Sequence, residues 1–172
     1  MNLHPLIVHF PIALLIMYVI FEVLPLERWY PRAAWADIKA VLVCFGGLGI
    51  LAALLSGQLA ESSLLAHAAG NVLHLHKFFA SASAAVFGII ALAYLIRWAF
   101  AKHADIFKSL RERIPLVEIF SDTILKRWVV VSFALLGFVV LSTTGALGAI
   151  IVYGPNGDFV TQFVYALFKP FL

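Results

Sequence analysis

Four apolar stretches, each about twenty residues long and separated by polar or charged links, leave this 172-residue chain little choice of fold. The hydrocarbon core of a bilayer takes about 20 residues of α-helix to cross, and a helix satisfies its own backbone hydrogen bonds where no water can. The stretches cover residues 5–25, 38–60, 73–99 and 128–153. Only 12% of the side chains are charged and 63% are hydrophobic, with a mean hydropathy of +1.01. A soluble globular domain carries about twice that share of charge. The expected fold is all-α: an integral membrane four-helix bundle forming a single domain over residues 1–172.

The links are as informative as the spans. Residues 26–37 mix Glu27, Arg28, Arg32 and Asp37 with Trp29, Tyr30 and Trp35, a composition suited to a membrane–water interface. The second span carries Gly46, Gly47, Gly49 and Gly57, which permit close helix approach. The third connection, 97–127, includes the amphipathic run IFKSLRERIPLVEIF, expected to lie in the interface. The tail 158–172 is apolar and reads as a short C-terminal interfacial helix. Pro5 suits a first helical turn, whereas Pro11 predicts a kink or the true start of its helix. The first stretch has neither a positive n-region nor a small-residue cleavage site, so it reads as a retained span.

Ten of the twelve basic residues fall on the side shared by the first and third connections; only Lys77 and Lys169 fall on the other. The positive-inside rule then places both termini on the outer side, periplasmic in a bacterial cytoplasmic (inner) membrane. Topology thus accounts for the net charge of +3, and no nucleic acid is expected as a partner. On this topology five of the six histidines, His4, His9, His67, His74 and His76, gather at the outer leaflet.

An imidazole in lipid is costly without a partner, so such a gathering points to a ligand. A non-covalent haem b held by two imidazoles needs them on different helices at similar depth. His9 precedes Arg28 by nineteen positions and His76 precedes Arg97 by twenty-one, so both lie about 30 Å above the basic boundary. On that count His9 and His76 are the iron ligands, and His4 is a neighbour of the haem or its propionates. His74 and His76 project about 200° apart, so only one of them faces the bundle. The stripe His76, Ala80, Ser83, Phe87 leaves room for a flat ring. Zinc or copper held by His4, His9, His67 and Glu61 remains the competing reading, since zinc takes three or four such ligands. The lone Cys44 excludes a thiolate cage, and the absence of Cys-x-x-Cys-His excludes covalent haem attachment. No Asp, Glu, Lys, Arg or His lies in the middle of any span, which argues against a proton pump or an ion-coupled carrier.

LHPLIVHFPIALL at 3–15, SGQLAE at 56–61, His76 opening the third span and TGALGAIIVYGPNG at 144–157 carry a resemblance. The chain resembles an uncharacterised bacterial four-span membrane family with a His-Pro…His-Phe-Pro start and a Thr-Gly-x-x-Gly…Val-Tyr finish. Members of that family resemble cytochrome b anchors and are often found fused or adjacent to c-type cytochrome domains. The resemblance implies a site formed by His4, His9, His67, His76, Gly145, Gly148 and Tyr153. This chain departs from many relatives at Ala149, where they have glycine, and at Lys77, where they have an acidic residue. The expected function is an electron-transfer subunit binding one haem b at the outer leaflet, with no bond-making chemistry of its own. Its partners would be membrane lipid, a periplasmic cytochrome c or other redox subunits, and a quinone if it exchanges electrons within the bilayer. The alternative is a cofactor-free or metal-binding anchor of a larger complex.

Overall fold

A computed structural model describes residues 4–61, 70–102 and 114–171. Each apolar stretch is helical, because only intrahelical bonding satisfies so long a run of backbone in lipid. The order is α1 (His4–Val23), a single turn α2 (Leu26–Trp29), α3 (Trp35–Glu61), α4 (Gly70–Lys102), α5 (Pro115–Ile124), α6 (Arg127–Tyr153), α7 (Phe159–Phe168) and a 3-10 turn, Lys169–Phe171. The helices α1, α3, α4 and α6 are long and apolar enough to cross a membrane. The protein is therefore an all-α, four-span membrane protein. Its outward residues, such as Leu48, Leu55, Leu59 and Val139, meet lipid.

Adjacent spans pack side by side in the order α1, α3, α4, α6 and back to α1. The bundle is thus four-sided, with α1 diagonal to α4 and α3 diagonal to α6. Leu15, Tyr18, Val43, Phe87, Ile90 and Ala134 are fully buried at its centre. The Tyr18 ring meets Phe87 and Tyr94 edge-on, at centroid separations of 6.4 and 6.3 Å, and so bridges the diagonal.

Pro11 neither starts nor interrupts α1, which begins at His4 and runs through it. Its buried ring lies against Gly49 of α3, where a Cβ would come within 2.8 Å of the proline Cβ. Other boundaries shift by a few residues. The first helix stops at Val23, the second starts at Trp35, and α4 reaches from Gly70 to Lys102.

At the end of the bundle opposite the histidines, Glu22 is almost fully buried and gathers partners from three other helices. Lys39 Nζ and Arg127 Nη1 each lie 3.3 Å from its Oε1, and the Tyr94 hydroxyl donates to Oε2 at 3.0 Å. Lys39 also pairs with Glu27 at 2.8 Å, and Arg127 donates to the Val23 carbonyl at 3.1 Å. Two of the ten basic residues counted toward topology are therefore structural as well. The imbalance still stands at eight to two.

The Tyr18 hydroxyl lies beside Tyr94 and Glu22 but reaches neither with hydrogen-bonding geometry. Removing a buried, unsatisfied hydroxyl costs little or stabilises. Tyr18→Phe is therefore expected to hold or raise the thermal midpoint in detergent, whereas Tyr94→Phe lowers it. A drop as large for Tyr18→Phe as for Tyr94→Phe would mean that the hydroxyl has a strong partner.

The Glu27 carboxylate, in the link outside the spans, is held below its ordinary value chiefly by the hydrogen bond from Lys39. The unfolded chain therefore binds more protons here as the solution is acidified. Its contribution is complete above the ordinary value of 4.5 and is lost as pH falls through the lower folded value. Glu27→Gln should lower the melting temperature slightly near pH 7 and flatten the acid limb, so that the variant and the unaltered protein converge at low pH.

The tail helix α7 is started by a reciprocal cap: Thr161 N donates to Asp158 Oδ1 at 2.8 Å, and Asp158 N donates to Thr161 Oγ1 at 2.8 Å. Thr161 and Val164 are buried, and Val164 packs with Leu147 and Ile150 of α6. Phe168 meets Phe79 edge-on. Phe159, Phe163 and Leu167 are left exposed along one stripe, as expected of a helix lying in the interface.

Candidate functional site

The helices α1 and α4 start at the same end of the bundle, and the diagonal contacts fix their register. Glu22 bonds Tyr94, an offset of 72 positions, and Tyr18 lies between Phe87 and Tyr94. At the same offset His4 stands level with His76. His9 lies five positions further along α1, about 140° around the helix axis, and its side chain is exposed.

This differs from the pairing of His9 with His76 expected from depth along the chain. The cause is the stretch between Val23 and Arg28. A continuous helix there would rise along the axis, but α1 ends at Val23 and α2 is a separate single turn. Removing about five residues of false rise slides α1 by more than one turn, so His4 replaces His9 at the level of His76.

His4 and His76 are both half-buried and sit close enough for charge on one to act on the other. Each ring is seated in the same way. His4 Nδ1 lies 2.9 Å from Ser56 Oγ, and Ser56 gives its own hydrogen to the Ala53 carbonyl at 3.0 Å. With the hydroxyl hydrogen on that carbonyl the serine oxygen accepts, which places the ring proton on Nδ1. His76 Nδ1 lies 3.0 Å from the Thr144 carbonyl, which can only accept, so its proton is on Nδ1 too. In a neutral imidazole with Nδ1 protonated, the lone pair is on Nε2. Fixing one ring nitrogen by a hydrogen bond in this way is how proteins orient a metal-binding histidine.

Glycines make the seats. A Cβ on Gly57 of α3 would stand 3.2 Å from His4 Cε1, and one on Gly148 of α6 would stand 3.3 Å from His76 Cε1. Deeper along the bundle, Ser83 Oγ lies 3.3 Å from Thr144 Oγ1, and below that the fully buried Phe87 closes the interior. His4 precedes the apolar run Leu6–Val23. Burial, partly opposed by the Ala53 carbonyl, holds its imidazole below the ordinary value and hence neutral at pH 7.

The other expected residues are placed differently. His74 is exposed while its neighbour but one, His76, turns inward. Gly145 has nothing within 4 Å of its Cβ position, so it makes no close approach to a ring. Tyr153 is 78% exposed at the end of α6. Lys77 is exposed. His67 lies outside the described residues, as does the side chain of Glu61. Among the described residues, no three histidine, cysteine or carboxylate side chains come together as a metal site. Ser56 and Thr144 do not stand out in the sequence as site residues. Both belong to the family-like motifs, SGQLAE and TGALGAIIVYGPNG, and that membership is the one signal that could have found them.

Four spans and a paired-imidazole seat at one end define a histidine-bearing helical membrane bundle. The chain belongs to the family described as "Predicted membrane protein (DUF2231)", whose model matches residues 1–157. No curated protein and no solved structure matches it.

Proposed function

We propose that this protein is an electron-transfer subunit that holds one b-type haem between His4 and His76. The observation that carries the reading is the matched pair: two level imidazoles on diagonal helices, each with Nδ1 engaged and Nε2 bearing the lone pair. The haem would supply the one-electron chemistry. The chain's own residues fix tautomer and ring orientation through Ser56 and Thr144, and tune the iron by burial. Gly57 and Gly148 keep the backbone clear of the rings.

The excess of basic residues at the opposite end supports an orientation with both termini and the histidines on the periplasmic side of a bacterial inner membrane. A haem there can exchange electrons with a periplasmic cytochrome c or with a quinol in the membrane. The test is an absorption spectrum of the protein purified from haem-replete cells. A Soret band with a sharp b-type α-band on reduction is expected, at one haem per chain. A colourless protein, or one carrying stoichiometric zinc or copper, overturns the proposal in favour of an anchor subunit.

A further inference from the structure

An apolar groove of about 370 Å³ lies between α1 and α6, on the half of the bundle away from the histidines. Ile16, Val19, Ile20 and Val23 form one wall, and Leu135 and Phe138 face them. These are bulky side chains. Two membrane helices that pack closely use small residues where they touch, and among the described residues lining this groove there is no glycine or alanine. An irregular, bulky-walled furrow suits a flexible hydrocarbon chain better than the side of another helix.

The groove ends at Arg127. That guanidinium donates to the carbonyl of Val23, itself a lining residue, and its side chain is 49% exposed. A guanidinium carries five N–H donors, of which one reaches Glu22 and one reaches Val23 here. The group Glu22, Glu27, Lys39 and Arg127 is neutral as a whole. Lys126 and Arg28, both exposed and each one residue away from a member of it, add two positive charges to this end. A hydrocarbon slot with a half-exposed arginine at its polar mouth is complementary to an anionic lipid.

We infer that the α1–α6 groove binds an anionic phospholipid of the leaflet at the basic end, with one acyl chain along Ile20 and Leu135 and the phosphate on Arg127. This site is independent of the haem reading, because it lies at the other end of the bundle and shares no residue with it. Basic pockets between membrane helices on the cytoplasmic side commonly hold such headgroups.

The experiment uses the full chain in mild detergent, titrated with dioleoyl phosphatidylglycerol or dioleoyl phosphatidylcholine and read by native mass spectrometry. The anionic lipid is expected to bind about fivefold more tightly for each basic side chain that meets its headgroup. Leu135→Trp and Ile20→Trp, both at exposed positions away from the Glu22 cluster, should fill the slot and weaken both lipids. Arg127→Gln should remove the preference for the anionic headgroup while the chain still binds. Equal affinity of the unaltered protein for the two lipids overturns the inference. So does binding unchanged by the tryptophan variants, or a groove occupied by a second copy of this chain.

Discussion

His76→Ala is expected to abolish the haem spectrum, and His4→Ala to abolish it or leave a five-coordinate remnant, while His9→Ala leaves haem content and band positions as they were. The contrast follows from the register of the diagonal. His4 and His76 stand level and face inward, and His9 is exposed on a different side of the same helix. Positions that orient a ligand matter less than the ligand itself, with typical losses of about 10–100-fold in metal affinity. Ser56→Ala should therefore weaken haem retention by about tenfold without removing the spectrum. Thr144 acts through its backbone carbonyl, so Thr144→Val should change retention little, even though its side chain lies beside Ser83. The measurement is haem per chain and the reduced spectrum after purification at matched expression. Loss of haem in His9→Ala with retention in His4→Ala would return the ligand role to His9.

The second large effect is expected at the other end. Glu22→Gln removes the buried carboxylate that Lys39 meets inside the bundle and leaves that ammonium, 4% exposed, with the outer partner Glu27. Leaving a buried charge without any partner costs about 3–5 kcal/mol, and with Glu27 still 2.8 Å from Lys39 Nζ the loss is expected at the lower end of that range. At about 2–4 °C per kcal/mol for a chain of this size, the thermal midpoint should fall by about 10 °C. The double variant Glu22→Leu, Lys39→Met should recover most of that loss, since replacing both charges by apolar groups of similar size is often neutral. Arg127, half-exposed, can turn to water in the double variant. A Glu22→Gln midpoint within a degree or two of the unaltered protein would show that the cluster contributes no net stability. Because the cluster is far from the histidines, none of these variants is expected to change the haem bands while the protein stays folded.

Much of the fold can be read directly from residue order. Spans of about twenty apolar residues dictate helices, and four of them in a short chain dictate a bundle. The apolar tail helix and the glycines of α3 are legible in the same way, and α4 starts three residues ahead of the expected 73. So is the histidine end, because charge asymmetry sorts residues to sides of a membrane whatever the packing. The pairing within it is not. Which imidazoles meet depends on helix register and rotation, and an error of one turn exchanges His4 for His9. The source of that error is residues 24–28, which look continuous with the first span but leave its axis.

The polar cluster shows the same division from the other side. Glu22, Lys39 and Arg127 each read as boundary charges, the kind that mark where a helix leaves the membrane. Sequence alone determined that they sit near one end of the bundle. Only the tertiary structure decided that they meet inside it, because α1, α3, α4 and α6 wrap around a common axis and bring distant positions such as 22 and 127 within hydrogen-bonding reach. The physical reason is general to bundles of this kind. Hydropathy fixes how deep a residue lies, since water and lipid act on every residue separately. Which side chain faces which is fixed by interlocking shape, as where Pro11 lies on Gly49 and Tyr18 fits between Phe87 and Tyr94.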